Sequence, residues 1–219
     1  MALAFFDVDR TLLSVNAGSL WIKHELRDGR ITRWQATKAA GWLLGYHLGY
    51  ARIERALEQG IATLAEQVED DVRARTLDFY KAQVASRYRP GARAVVERHR
   101  ARGDRLVLLT TSSVYLAEPV QVDLAADHVL CNRFEVQEGR FTGRPLLPLC
   151  YGTGKLDHAR ALAEELGEDL ATATFYTDSY SDVPVLEAVG VPVAVHPDPR
   201  LARIARQRGW RIERWDTPG

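Results

Sequence analysis

The stretch Leu3-Ala4-Phe5-Phe6-Asp7-Val8-Asp9-Arg10-Thr11 decides how the chain is read. Residues 3–8 form a short apolar run without helical period, which suits a strand buried on both faces of a parallel sheet. Residues two apart on a strand share a face, so Asp7 and Asp9 project together where the apolar run stops. One acid there could simply cap a turn. Two on one face of a buried strand end repel each other unless a cation lies between them. In an open parallel sheet this carboxyl end is also where ligands bind.

Working outward, the same apolar pattern returns at residues 106–109, 174–177 and 191–195, with helical patterns at 156–166 and 183–189. Strands alternating with helices predict a doubly wound α/β sheet. Residues 14–88 break the rhythm. Trp34, Leu43, Tyr46 and Tyr50, then Ile53, Leu57, Ile61 and Leu64, recur at helical spacing. We expect an all-helical cap over 14–88, inserted after the first strand of a core made of 1–13 and 89–219. Its aromatic stripe reads as the core of a helical bundle whose inner residues roof a site. Around Glu138-Gly139, residues 132–143 predict a β-hairpin.

The 219 residues are 46% apolar and 26% charged, and 29 Lys and Arg balance 29 Asp and Glu. That composition is globular, and zero net charge offers no general attraction to nucleic acid or an anionic membrane. A small-molecule ligand is the expected partner, with the chain a monomer or homodimer. The first residues lack a basic segment followed by a longer apolar one, and residues 39–50 are too short to span a bilayer, so a cytoplasmic protein is expected. Cys131 and Cys150 lack metal-ligand spacing and read as ordinary thiols.

A second acidic pair, Asp178 and Asp182, follows residues 174–177. Asp182 precedes Val183-Pro184, so it suits both a helix N-cap and a site. Carboxylates gathered from separate strand ends form a hard, all-oxygen site suited to Mg²⁺, and the absence of clustered histidines and cysteines argues against zinc. Thr110-Thr111-Ser112 offers hydroxyls and N–H groups at the start of a helix, where anions bind. Lys155 opens another helix; Gly152-Thr153-Gly154-Lys155 lacks the glycine spacing and the following Ser or Thr of a Walker loop. A carboxylate about 3.5 Å from a phosphate dianion is repelled by roughly 9 kcal/mol at an effective dielectric of about 20. An unassisted Asp nucleophile would therefore fail, and a divalent metal and a lysine can offset that repulsion.

The order Asp7-Val8-Asp9-Arg10-Thr11, Thr110, Lys155, Asp178 and Asp182 resembles the haloacid dehalogenase superfamily over the whole chain. Placement of the helical insertion, Glu118-Pro119, Asn132-Arg133, Phe141-Thr142-Gly143 and Pro197-Asp198 resemble the branch containing phosphoserine phosphatase. The resemblance implies a Mg²⁺-dependent phosphomonoester hydrolase working through an aspartyl-phosphate. It makes Asp7 the nucleophile and Asp9 the acid and base. The metal would be held by Asp7, the Asp9 carbonyl and Asp178. Thr110 and the Thr111 N–H would take phosphoryl oxygens, Lys155 would neutralise charge, and Asp182 would hold a metal-bound water or orient Lys155. An acid at position 9 favours a phosphatase over a dehalogenase.

Two departures bear on substrate. Asn16 stands where phosphoserine phosphatases carry Glu, and Ser179-Tyr180-Ser181 replaces their Gly-x-Asn, which makes Asn16 and Ser181 candidate substrate-binding residues. Arg52 or Arg55 could meet a substrate carboxylate, although a solvated helix face also explains them. Phosphoserine and histidinol phosphate are the named substrate alternatives. The other readings are a phosphotransferase or mutase, and a non-catalytic phosphate-binding module.

Overall fold

Alternation along the strands decides how the core is layered. The computed structural model describes residues 2–31, 37 and 53–217. Strands β1 (Leu3–Phe6), β2 (Arg105–Ser113), β3 (His128–Asn132), β6 (Thr174–Thr177), β7 (Val191–Val195) and β8 (Arg211–Glu213) form a six-stranded sheet in the order β3-β2-β1-β6-β7-β8. Every neighbouring pair is parallel. Ala4, Phe6, Leu106, Leu108, Tyr176, Val193 and Val195 enter one apolar cluster; Leu3, Phe5, Val107, Leu109, Phe175 and Ala194 enter another. Both faces are therefore buried, which is why these strands read as continuous apolar runs instead of alternating ones.

Helix α4 (Ala92–Ala101) covers the first face through Ala92, Val95 and Val96. Helices α6 (Thr153–Leu166) and α8 (Pro199–Arg208) cover the second through Ala159, Leu162, Ala163, Leu201 and Ala205. Phe5 is wholly buried between the layers, and Phe5→Ala at such a site costs about 3–5 kcal/mol. Gly167 ends α6 at φ 65°, a left-handed conformation that a side chain would strain.

Between β1 and α4 the described helices are α1 (Ala17–Arg27), α2 (Ile53–Ala62) and α3 (Glu69–Phe79), the last continued by a wider turn over Tyr80–Val84. Leu13 pairs with Tyr88, Ser14 N donates to Arg87 O at 2.8 Å and Arg89 N donates to Leu12 O at 2.8 Å. The segments that leave and rejoin the sheet thus run side by side. Trp34, Leu43, Tyr46, Tyr50, Arg52 and the side chains of Ile53 and Arg55 lie outside the described residues.

β4 (Phe134–Gln137) and β5 (Arg140–Pro145) form the antiparallel hairpin expected from Glu138-Gly139, whose φ values are 50° and 74°. Val72 of α3, Phe141 of β5, and Val114 and Tyr115 of α5 (Val114–Leu124) make a third apolar cluster. The sequence reading named four of the six sheet strands. It missed β3 and β8, the two edges, which are short or interrupted by polar residues because an edge strand is less completely buried. α7 (Val183–Leu186) ends earlier than the helical pattern suggested.

Candidate functional site

Asp7 and Asp178 lie just past the carboxyl ends of β1 and β6, which pair with Phe6 opposite Tyr176. β2 flanks β1 on the other side, so the sheet order turns here and the connections diverge. Lys155 reaches this crevice from the first turn of α6. Its Nζ donates to Asp7 Oδ1 at 2.9 Å and to Asp182 Oδ2 at 2.8 Å. The approach requires Gly154, where an added Cβ would fall 2.0 Å from the Leu149 carbonyl oxygen. Asp182 precedes α7 but makes no capping bond with its side chain, which instead also accepts from Thr177 Oγ1 at 2.7 Å. Its two sequence readings are thereby separated: the side chain serves the acidic cluster.

Burial drives the electrostatics. It pushes the Asp7 carboxyl up to about 7, with Lys155 pulling it down and Asp182 pushing it further up. Asp178 is pushed up to about 8 by burial, then by Asp7 and Asp182. Burial alone would lower Lys155, but Asp182 and Asp7 overcome that and hold it above the ordinary lysine value. One ammonium thus bonds two of the three buried carboxylates, Asp7 and Asp182. Among the described residues no hydrogen-bond donor reaches the Asp178 side chain, although Asp178 is only 9% exposed.

Asp9 turns toward the inserted helices. Its Oδ1 accepts from Ala17 N, at the start of α1, at 2.6 Å, and its Oδ2 accepts from Ser112 Oγ at 2.7 Å. Burial raises its pKa against the lowering effect of both bonds. Asn16 is the N-cap of α1: its Oδ1 accepts from Ser19 N at 2.7 Å. That bond fixes the side-chain oxygen as the capping atom and leaves the amide N–H groups as the remaining polar atoms. Asn16 adjoins Ala17, so it stands one residue from the group that binds Asp9.

Thr110 is fully buried, and its Oγ1 accepts from Ser112 N at 3.1 Å. The Thr111 carbonyl accepts from Asn132 Nδ2 at 2.6 Å, while Asn132 Oδ1 accepts from Cys150 N at 2.9 Å. Asn132 therefore ties the end of β2 to the loop that leads into α6 and Lys155. Ser181 Oγ lies 2.8 Å from Ser179 Oγ and 3.3 Å from Asp182 Oδ1, in the acidic loop.

Sequence reasoning gave no individual role to Thr11, Ser112 or Thr177, naming Thr11 only within the acidic motif and Ser112 only within the anion-binding Thr110-Thr111-Ser112 run. Thr11 Oγ1 donates to Asp7 Oδ2 at 3.3 Å. Their signal was adjacency, since each falls within or beside a stretch singled out for other residues. Asp198 has a scaffolding part: it caps α8, and its Oδ2 accepts from Tyr180 N at 2.7 Å. A surface hollow of about 450 Å³ at the opposite end of β7, lined by Gly190, Val191, Arg208 and Trp210, takes in none of these residues.

Among the described residues no three His, Cys, Asp or Glu side chains form a metal cage by themselves. Two carboxylates and a backbone carbonyl are a smaller set, of the kind Mg²⁺ completes with waters and substrate oxygens. The donors are all hard oxygens, and the unserved Asp178 carboxylate beside Asp7 is where a divalent cation would offset the crowded negative charge. The residues fit the ion.

The sequence pattern of the haloacid dehalogenase-like hydrolases matches residues 4–187. A phosphoserine phosphatase of Mycobacterium tuberculosis is 32% identical over 216 residues, covering 96% of this chain and 70% of its own. A histidinol-phosphatase of Neisseria meningitidis is 28% identical, covering 96% of this chain and 97% of its own. A solved structure of a Bordetella pertussis protein of unknown function superposes with a TM-score of 0.88 at 30% identity, covering 96% and 97% of the two chains. No helix among the described residues is long and apolar enough to cross a membrane. From the acidic pairs, the lysine between them and these likenesses, the chain belongs to the haloacid dehalogenase-like hydrolase family.

Proposed function

We propose that this hydrolase is a Mg²⁺-dependent phosphatase of small phosphorylated metabolites that works through an aspartyl-phosphate on Asp7. The observation that carries the reading is the Lys155 bridge between Asp7 and Asp182 beside the donor-poor Asp178. Asp7, the Asp9 carbonyl and Asp178 would hold the ion, which when bound supplies positive charge against phosphoryl oxygens. Asp7 attacks phosphorus while the leaving oxygen takes a proton from Asp9. Asp9 then removes a proton from water as it attacks the acyl phosphate, releasing phosphate and restoring Asp7. Lys155 favours the ionised form of Asp7 against the effect of burial and meets the charge that spreads over the phosphoryl oxygens. Thr110 and the Thr111 N–H orient those oxygens. Ser181 and Asn16 sit on the substrate side.

Residues 14–88 act in this reading as a cap whose first helix is pinned to Asp9. Phosphoserine and histidinol phosphate are both substrates to test, because the named relatives divide between them. The experiment measures phosphate release with Mg²⁺ from both compounds and from a neutral alkyl phosphate. Borohydride trapping then reports the intermediate, since reduction of an acyl phosphate at Asp7 leaves homoserine there. Release of phosphate without that modification would overturn the covalent step.

A further inference from the structure

The backbone between Asp7 and Leu12 is irregular: Asp9 is extended at φ −68°, ψ 129°, and Arg10 is left-handed at φ 60°, ψ −6°. A residue with a Cβ adopts the left-handed region only at a cost. Arg10 is exposed, so its own side-chain packing does not explain the conformation. Its backbone is gripped from both sides. Arg10 N donates to Val15 O at 3.0 Å. Arg10 O accepts two N–H groups from Arg89, Nε at 3.1 Å and Nη2 at 3.0 Å.

Arg89 belongs to the segment that returns from residues 14–88 to the sheet, and its side chain is only 13% exposed. Its own N–H reaches Leu12 O. We propose that Arg89 is a positioning residue: it holds Arg10 in its left-handed turn, and through that turn it sets where Asp7 and Asp9 point. The turn carries Asp9 to Ala17 N and Ser112 Oγ, and Thr11 to Asp7. Because Arg89 sits beside the Leu13–Tyr88 crossing, the loop geometry depends on how the returning segment is seated. The inference rests on the proposed roles of Asp7 and Asp9.

The test is a mutant cycle on kcat/KM for a neutral alkyl phosphate, read alongside amide hydrogen exchange at Ala17 and Leu13. Arg89→Met removes both donors and is expected to lower kcat/KM about tenfold or more and to speed both exchanges. Arg89→Lys, which retains one donor, should fall between. Glycine enters the left-handed region freely, so Arg10→Gly in the Arg89→Met background should recover most of the loss and slow the exchanges again. Arg10→Ala removes the same charge but keeps the Cβ, and should recover neither. Equal behaviour of the Gly and Ala variants would overturn the proposal. So would reproduction of the whole effect by Asp216→Asn, which leaves both donors to Arg10 O in place and removes the charge that faces Arg89 Nη1 at 3.4 Å and His196 Nε2 at 3.5 Å. If the parent protein hydrolyses no phosphomonoester, the functional reading fails by itself, and the exchange measurements still decide the role of Arg89.

Discussion

Lys155, Asp7 and Asp182 are 2%, 5% and 0% exposed and are joined to one another by short hydrogen bonds from the floor of the crevice. Asn16 and Asp9, on the side of the inserted helices, are half-buried, and their bonds serve the start of α1. The floor draws its residues from beyond the ends of two parallel strands, β1 and β6, and from helix α6, which leads into β6. The other side draws its residues from a single segment. Changing a floor residue leaves a buried charge without its partner, whereas changing Asn16 alters one polar group at a helix end. In the proposed function the floor carries the nucleophile and its charge balance, while the cap side carries proton transfer at Asp9 and selectivity at Asn16, and four experiments bear on that division.

The largest effect is expected from Asp7→Asn, which keeps size and burial but loses the nucleophile. Phosphate release should fall by at least about a thousandfold with the fold retained. Substantial turnover with the same metal dependence would break the assignment of the nucleophile to the floor.

Next is Lys155→Met. Removing the shared cation leaves Asp7 and Asp182 buried together, a change that costs about 3–5 kcal/mol for a broken buried pair. Urea unfolding should register that loss along with near-complete loss of activity. A variant as stable as the parent would mean that the floor is not held by this bridge.

Metal and pH sharpen the comparison further. The Asp7 and Asp178 carboxyls, at about 7 and about 8, lie above the ordinary value of 3.8 in the folded chain. The folded state therefore binds more protons than the unfolded state between these values. Without divalent metal, stability should be greatest below about pH 4 as far as these two groups are concerned, and should decline as pH rises toward about 8. Mg²⁺ should raise the melting temperature most at the alkaline end of that window, and chelation should remove activity. Ca²⁺, with longer bonds and a larger coordination number, should restore activity poorly. Melting curves at several pH values, with and without Mg²⁺, make the check; a metal effect independent of pH would detach the ion from these acids.

The smallest effect concerns Asn16. Asp caps a helix as well as Asn does, so Asn16→Asp keeps the bond to Ser19 while replacing the amide donor with a negative acceptor. The ratio of kcat/KM for phosphoserine to that for a neutral alkyl phosphate should rise by about tenfold. Asn16→Glu is a poorer probe, since loss of the cap costs about 1 kcal/mol. A parent protein that already strongly prefers phosphoserine would place ammonium recognition elsewhere.

The core strands were legible because burial on both faces forces continuous apolar runs, as in Leu3 to Phe6 and Val191 to Val195. Asp7, Asp9 and Asp178 were legible because paired acids at the end of such a run have no simple packing role. Glu138-Gly139 betrayed its hairpin through residues able to take positive φ. β3 and β8 escaped because short edge strands need not be uniformly apolar.

The sequence by itself determined the layered sheet and the kinds of charge that its strand ends must gather, since strand period and burial are local consequences of residue type. Tertiary structure alone decided that Asp182 serves Lys155 instead of capping α7, that Ser112 and Ala17 share Asp9, and that Arg89 grips Arg10. Those partners lie from 8 to 103 residues apart in the chain. Spacing carries no signal for such pairs, because only the folding of the sheet and its returning segment brings them within hydrogen-bond reach.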